Sequence, residues 1–137
     1  MIQVEPQRHR EHRDGKCRQL TEQIIGAAIE VHRHLGPGLL ESVYETCLAH
    51  EFSLCELPFE SQKQVLVRYK AIQLAADLRV DFIVANQVIV ALKAVEGLLP
   101  VHRAQILTYM RLAGCEVGLL INFNVAQLTK GIERFAL

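Results

Sequence analysis

Residues 79–93, RVDFIVANQVIVALK, are the part of the chain that best indicates its fold class. In its first part the even positions up to Val84 are apolar, a short polar break follows at Asn86 and Gln87, and the second part is apolar almost throughout. A period of two is typical of a β-strand, so the two runs predict a hairpin. The second run is apolar on both faces except at Lys93, which predicts a central strand covered on both sides.

Two charged residues interrupt this apolar hairpin. Alternate residues of a strand share a face, so Ala91 and Lys93 point the same way, and pairing of the two strands could bring Asp81 to that face. A buried ammonium group is costly unless it is paired, so Lys93 is expected to have a carboxylate nearby. From these residues alone, the pair is either an internal salt bridge or part of a reactive site.

The rest of the chain divides into helical and extended segments. Apolar residues recur with a 3.6-residue period from Leu20 to Leu35, and Gly36-Pro37-Gly38 ends that helix. A second helical stripe runs from Leu40 to about Glu56. The later segments are predicted as strands at 65–69, 78–84 and 88–95, a helix from Pro100 to Gly114, a buried strand at 117–121, and an edge strand or strand plus tail over 125–137.

These segments predict an α/β fold with the order α-α-β-β-β-α-β(-β). The helix between the strands at 88–95 and 117–121 is a right-handed crossover, which makes those strands parallel in a mixed central sheet flanked by helices. The chain has 137 residues, half of them apolar, which suits one domain over 18–137. Residues 1–17 are polar and are expected to form a flexible N-terminal arm.

Composition and charge narrow the class of ligand. Fifteen basic and fifteen acidic residues cancel overall, but residues 37–60 carry five Glu and no Lys or Arg, whereas residues 61–137 carry nine basic and five acidic groups. An anionic ligand is therefore expected at the C-terminal half. The four cysteines are widely spaced, without a C-x-x-C pair, and no apolar run reaches the length of a membrane span. These features predict reduced thiols, a cytoplasmic protein and no membrane partner.

A motif in the helical part makes the reactive site the better interpretation. Gly38, Glu41 and Tyr44 have the spacing G-x-x-E-x-x-Y, and they stand in order with IGAAIEV at 25–31, LGPG at 35–38, RYK at 68–70, DF at 81–82, VIV at 88–90, LKA at 92–94 and GLLINF at 118–123. This set resembles the GxxExxY protein family, which belongs to the PD-(D/E)XK nuclease superfamily. The similarity covers about residues 20–123 and implies a restriction-endonuclease-like core.

The resemblance also implies a metal site. It gives Asp81 as a metal ligand and Lys93 as the group that orients or activates water. Glu41, or Glu30 on the first helix, would be an accessory acid and metal ligand. The implied cofactor is Mg²⁺ or Mn²⁺, because these ions take hard oxygen ligands, offset charge at a phosphate and lower the pKa of bound water.

Position 91 departs from the family pattern. The family places a glutamate there, whereas this chain has Ala91. The loss of one of two core carboxylates is expected to weaken metal binding and to reduce catalysis by orders of magnitude. Gln105 and Tyr109, one helical turn apart, resemble the motif that follows the lysine in RecB-like nucleases and would support the site or touch a phosphate.

The sequence is therefore compatible with two functions. The first is metal-dependent hydrolysis of phosphodiesters in nucleic acid, weak or absent because of Ala91. The second is a non-catalytic module that keeps the nuclease scaffold and binds nucleic acid, a protein partner or a second copy of itself through the basic C-terminal half. The chain has no phosphate-binding glycine loop, no nucleophile elbow and no H-E-x-x-H motif, which argues against unrelated small-molecule chemistry.

Overall fold

This computed structural model describes the backbone of residues 6–137 and the side chains of residues 18–74 and 78–137. In the described residues the elements are α1 (Pro6–Leu35), α2 (Glu41–Leu54), β1 (Phe59–Tyr69), β2 (Ile72–Val84), β3 (Val88–Lys93), α3 (Pro100–Ala113), β4 (Val117–Asn122), a 3₁₀ turn (Leu128–Gly131) and β5 (Ile132–Ala136). The flexible arm expected over residues 1–17 lies outside the described residues at 1–5 and outside the described side chains at 6–17, and it stays a prediction.

The described strands form one five-stranded sheet in the order β1-β2-β3-β4-β5. β3 and β4 pair in parallel from Val88↔Val117 to Lys93↔Asn122, and all the other neighbouring strands are antiparallel. The mixed α/β sheet predicted from the sequence is therefore confirmed. The two parallel strands are the most deeply buried because helices cover both of their faces, as expected for strands joined through a helix.

Each helix boundary has a local cause. α3 begins at Pro100, which has no backbone N–H; the first residues of a helix have no carbonyl partner for this group, so nothing is lost. The helix ends at Gly114, whose φ of 72° is left-handed. α1 ends before Gly36, which has a φ of 71°. The sequence predicted both glycine stops correctly. It predicted the last strand correctly as well, since β5 lies at the edge of the sheet.

The hairpin of β1 and β2 is longer than predicted at both ends. The sequence predicts strands at 65–69 and 78–84, whereas the structure has β1 from Phe59 and β2 from Ile72. β2 pairs with β3 only from Phe82 to Val84, so most of the hairpin projects from the sheet as a two-stranded ribbon. The residues missed at the two ends, 60–64 of β1 and 72–74 of β2, are exposed, and alternating apolar residues therefore do not mark them.

Two apolar layers hold the sheet between the helices. On one side α1 and α2 pack against β3 and β4 through Ile24, Leu48, Phe82, Val90, Leu92, Leu119 and Ile121. On the other side α3 packs through Ile106, Met110, Ile83, Ile89 and Leu120, with Ala91 at the margin. Val90 and Leu92 thus face α1 and α2 whereas Ala91 faces α3, as the alternation in β3 predicted. In the described part of the chain, no helix is long and apolar enough to cross a membrane.

Candidate active site

A small cavity of about 90 Å³ lies where α3, the start of α2 and the middle of the sheet meet. Its polar lining combines carboxylates, cations and neutral hydrogen-bonding groups, with Ala91 among the apolar residues beside them. The polar lining residues are Glu41, Arg79, Asp81, Lys93, His102, Gln105 and Tyr109. Of the site residues proposed from the sequence, the structure brings Glu41, Asp81, Lys93, Gln105 and Tyr109 together around this one cavity.

Asp81 stands where β2 and β3 separate. The ladder between these strands stops at Phe82↔Val90, and beyond it the N–H of Leu92 donates to the Asp81 carboxylate at 2.7 Å. The side chain therefore takes the place of a backbone acceptor and fixes the acid beside β3. Burial raises the pKa of Asp81, while the hydrogen bond from Leu92 and the charge of Lys93 act in the opposite direction.

Lys93 is the last residue of β3 and shares a face with Ala91. Its backbone carbonyl accepts a hydrogen bond from the N–H of Phe123 at 2.9 Å, which ties the end of β3 to the end of β4. The positive charge of its ammonium group acts to lower the pKa values of Asp81 and Glu41, but burial has the larger effect and both values are raised. Two carboxylates, those of Asp81 and Glu41, therefore lie in the same cavity as Lys93.

Glu41 reaches the cavity from the first turn of α2. Burial raises its pKa most, and the negative charge of Asp81 raises it further, against the opposing effect of Lys93. Two carboxylates that repel each other in a partly buried cavity form a site that a cation would stabilise. Of the two accessory acids considered from the sequence, Glu41 is the one that lines this cavity.

Tyr44 holds the loop that delivers Glu41. Its hydroxyl group donates to the carbonyl of Gly36 at 2.6 Å and accepts the N–H of Leu39 at 3.1 Å, so it closes the loop between α1 and α2. The loop needs backbone freedom as well, since Gly38 has a φ of 97°. In the G-x-x-E-x-x-Y motif, Gly38 thus allows the loop to bend, Glu41 supplies the acid, and the fully buried Tyr44 holds the loop in place.

Gln62 and Glu45 extend this acidic network, and Gln62 was not predicted from the sequence. The side-chain amide of Gln62 donates to Glu45 at 2.8 Å and to Asp81 at 3.3 Å, so it bridges α2 and β2. Gln62 has a left-handed backbone with a φ of 52°, an uncommon conformation for a residue other than glycine and one that concentrates at functional sites. A polar residue in an exposed strand carries no periodic signal, so its role becomes visible only in three dimensions.

On the opposite wall, α3 supplies three polar groups. The amide of Gln105 donates to the hydroxyl oxygen of Tyr109 at 3.2 Å, which leaves the hydroxyl hydrogen of Tyr109 free to be donated elsewhere. His102 was not predicted; its Nδ1 accepts the N–H of Leu99 at 3.0 Å, so neutral His102 carries its proton on Nε2. All three groups can therefore present hydrogen-bond donors to an anion in the cavity.

A comparison with protein-family models matches residues 18–135 to the PD-(D/E)XK nuclease superfamily. The chain belongs to the PD-(D/E)XK nuclease superfamily. Comparisons with curated proteins and with solved structures give no match. The family match covers every strand of the sheet and all the residues that line the cavity, so fold and site fall within the matched region.

Glu30, the alternative accessory acid, lies elsewhere in this PD-(D/E)XK domain. It is in the exposed part of α1, where its carboxylate pairs with Arg33 at 3.1 Å and with His34 at 3.6 Å. It borders a groove between α1 and α2 that does not include Asp81 or Lys93. The sequence could not separate Glu30 from Glu41, because either helix could have turned its acid towards the sheet.

The superfamily usually binds divalent metal ions, and the donor set can be tested against that expectation. Among the described residues, no group of three or more His, Cys, Asp or Glu side chains is arranged to hold a metal ion. Two carboxylates remain at the cavity, Asp81 and Glu41. Mg²⁺ commonly binds through one or two carboxylates and completes its shell with water and substrate phosphate. The lining therefore fits a Mg²⁺ shared with substrate and does not fit an ion enclosed by protein ligands alone.

Proposed function

We propose that this chain is a member of the GxxExxY family that hydrolyses phosphodiesters of nucleic acid slowly, with Mg²⁺ or Mn²⁺ as cofactor. One observation carries the proposal: Glu41, Asp81 and Lys93 line a single cavity in a PD-(D/E)XK nuclease scaffold. In this proposal Glu41 supplies part of the negative charge that a glutamate at position 91 would supply. A phosphodiester is the fitting substrate because α3 presents hydrogen-bond donors to the cavity, and Arg79 and Lys93 on the strands add positive charge to its lining.

Asp81 and Glu41 are the residues that would hold the metal ion. When bound, the ion supplies charge neutralisation at the phosphate and a water molecule of lowered pKa. Asp81 is fixed for this role by the N–H of Leu92 and the amide of Gln62. Glu41 is set in place by the loop that Tyr44 closes.

The remaining residues act on the substrate and the attacking water. Lys93 holds a positive charge between the carboxylates and the phosphate, where it orients water and stabilises the negative charge that develops on the phosphate oxygens. Tyr109, whose hydroxyl oxygen accepts from Gln105, donates its hydrogen to a phosphate oxygen. His102 lines the same cavity, and its Nε2–H is a second neutral donor in this proposal.

Ala91 limits the rate in this proposal. A methyl group occupies the position beside Asp81 from which a carboxylate would bind the ion. Even an outer partner of a metal site typically contributes about 10–100-fold in affinity or activity, so the loss of a direct ligand costs at least that much. The expected enzyme binds its metal weakly and turns over slowly.

The test combines metal binding with cleavage. The purified protein is heated with EDTA, Mg²⁺ or Mn²⁺, and is then incubated with labelled single-stranded DNA, double-stranded DNA and RNA. We expect both ions to raise the melting temperature and to support slow cleavage, and Asp81→Asn to remove both effects. An unchanged melting temperature together with uncut substrates at high protein concentration would refute the catalytic proposal.

A binding module is the second candidate, and Ala91 is the observation that favours it. A scaffold that has lost a metal-binding carboxylate can still hold a nucleic acid through its cations, or a protein partner such as a second copy of the chain. The two candidates differ in their need for metal. Binding of nucleic acid that is the same in EDTA and in Mg²⁺, with no cleavage and no response to Asp81→Asn, would support the binding module.

A further inference from the structure

A second and larger concavity, which we call the basic groove, runs between the projecting hairpin of β1 and β2 and the C-terminal end of α3. Its volume is about 520 Å³. Among the side chains that the structure describes, its lining has three cations and no acidic residue, with the apolar side chains Val65, Leu66 and Leu112 between them. The cations are Lys63, Arg68 and Arg111. The basic groove thus concentrates positive charge in a chain whose formal net charge is zero.

The basic groove and the candidate active site are lined by the same elements, the hairpin of β1 and β2 and the helix α3. In the hairpin, Gln64 of the groove pairs with Arg79 of the active-site cavity. In α3, Tyr109 lines the cavity and Arg111 lines the groove. From Gln105 to Arg111 the helix advances about 9 Å at roughly 1.5 Å per residue.

The two arginines are better placed than the lysine to hold an anion. Arg68 and Arg111 are both exposed, and Arg111 gives one of its donors to the hydroxyl of Thr108 at 3.2 Å. Lys63 is already paired with Glu60 at 2.8 Å. A guanidinium group presents several donors in a planar fork that matches phosphate oxygens, so each arginine can still bind a phosphate.

We propose that the basic groove binds the sugar-phosphate backbone of a nucleic-acid strand whose scissile phosphate occupies the active-site cavity, with Arg68 and Arg111 each contacting one phosphate. This inference rests on the proposed function for the nature of the ligand. The contacts do not depend on base sequence, because phosphates carry no sequence information. An acidic protein segment would match the charge as well, but it would not explain why the groove and the proposed phosphodiester site are lined by the same hairpin and helix.

Binding is tested apart from catalysis by using EDTA. A fluorescein-labelled single-stranded DNA is titrated with full-length protein at several KCl concentrations, and the anisotropy gives the affinity and its salt dependence. Each arginine that contacts a phosphate contributes about 0.7 to the slope of log K against log salt for a single strand. We expect the double variant Arg68→Ala with Arg111→Ala to bind more weakly and with a slope shallower by about 1.4.

The matched control removes the same charge elsewhere. Arg33 pairs with Glu30 on α1, and Lys130 lies in the 3₁₀ turn next to β5, at the far edge of the sheet from β1. Arg33→Ala with Lys130→Ala is expected to keep the wild-type slope. Equal losses in the two double variants, or no loss in the groove variant, would overturn the proposal.

Competition and cleavage separate the remaining outcomes. Displacement of the DNA by a polyglutamate peptide as efficiently as by unlabelled DNA of equal charge would show an acidic protein site and overturn the proposal. The exposed positions of both arginines predict unchanged melting temperatures for the groove variant. Wild-type protein that binds DNA through the groove in EDTA but cleaves nothing in Mg²⁺ would refute the catalytic function and leave this inference intact.

Discussion

The ring of Tyr44 stacks on the ring of Phe123, with centroids 4.5 Å apart and planes inclined by 12°. The two residues form hydrogen bonds with different parts of the candidate site. Tyr44 closes the loop before Glu41, and the N–H of Phe123 donates to the carbonyl of Lys93. A single buried aromatic contact therefore joins the segment that carries the helical acid to the strand end that carries the lysine.

Replacement of Tyr44 by phenylalanine tests this brace. The ring and its stacking on Phe123 are kept, but Gly36 and Leu39 lose their hydrogen-bond partner. We expect the free energy of unfolding to fall by about 1–3 kcal/mol, because two hydrogen bonds are lost and each typically contributes about 0.5–1.5 kcal/mol. Urea denaturation measures the change, and hydrogen exchange should show faster exchange at the amide of Leu39.

A second tyrosine gives the control. Tyr69 is 58% exposed at the tip of the hairpin of β1 and β2, so Tyr69→Phe should leave both the unfolding free energy and the exchange at Leu39 unchanged. Similar behaviour of the two variants would contradict a specific role for the hydroxyl of Tyr44.

Most of the fold was predictable because burial leaves a periodic record. β3 and β4 are buried along their length, and their unbroken apolar runs predicted central parallel strands. The hairpin of β1 and β2 left a weaker record, since exposed strand residues such as Gln64 need not be apolar. The length of this hairpin depends on backbone pairing between β1 and β2, and no side-chain pattern indicates that pairing.

The candidate site was predictable only in part. Asp81 and Lys93 stood out as charges within apolar strands, and Glu41 came from the spacing of a motif. Gln62 and His102 were missed because their function depends on which elements meet in space. The same limitation kept Glu30 in contention until the structure placed it at a different groove.

The pH dependence of stability follows from the burial of Glu41 and from its repulsion by Asp81. The pKa of Glu41 is raised in the folded protein, first by burial and then by Asp81. A carboxyl group with a raised folded pKa favours the folded state most below its unfolded pKa, and this contribution is lost as the pH rises through the folded pKa. Glu41→Gln should therefore raise the melting temperature at neutral pH in EDTA and have less effect in acid.

The control for this measurement is Glu116→Gln, which removes one exposed carboxylate just before β4. It gives the change in melting temperature that follows from surface charge alone at each pH. A Glu41→Gln variant that is less stable than the wild type at neutral pH would show that the carboxylate is not strained in the folded protein.

Asn122 is predicted to secure the end of the strand that carries Lys93. Its buried amide donates to the carbonyl of Val95 at 2.9 Å and accepts the N–H of the same residue at 3.0 Å. Asn122→Ala leaves both backbone groups without these bonds, so the expected loss is about 2–4 kcal/mol in a urea titration. Gln127→Ala removes an exposed amide and should cost almost nothing; comparable losses would contradict the anchoring role.

Restoration of an acid at position 91 tests the site most directly. Ala91→Glu places a third carboxylate beside Asp81 and Glu41, so we expect lower stability in EDTA, recovery of stability with Mg²⁺, and nucleic-acid cleavage faster by at least about tenfold. Ala91→Gln matches the size of the new side chain without its charge and should do none of these things. Addition of Lys93→Ala to Ala91→Glu should abolish the gain in cleavage while leaving metal-dependent stabilisation, because Lys93 acts on water and phosphate. Equal cleavage by the glutamate and glutamine variants would show that position 91 does not belong to the reactive site.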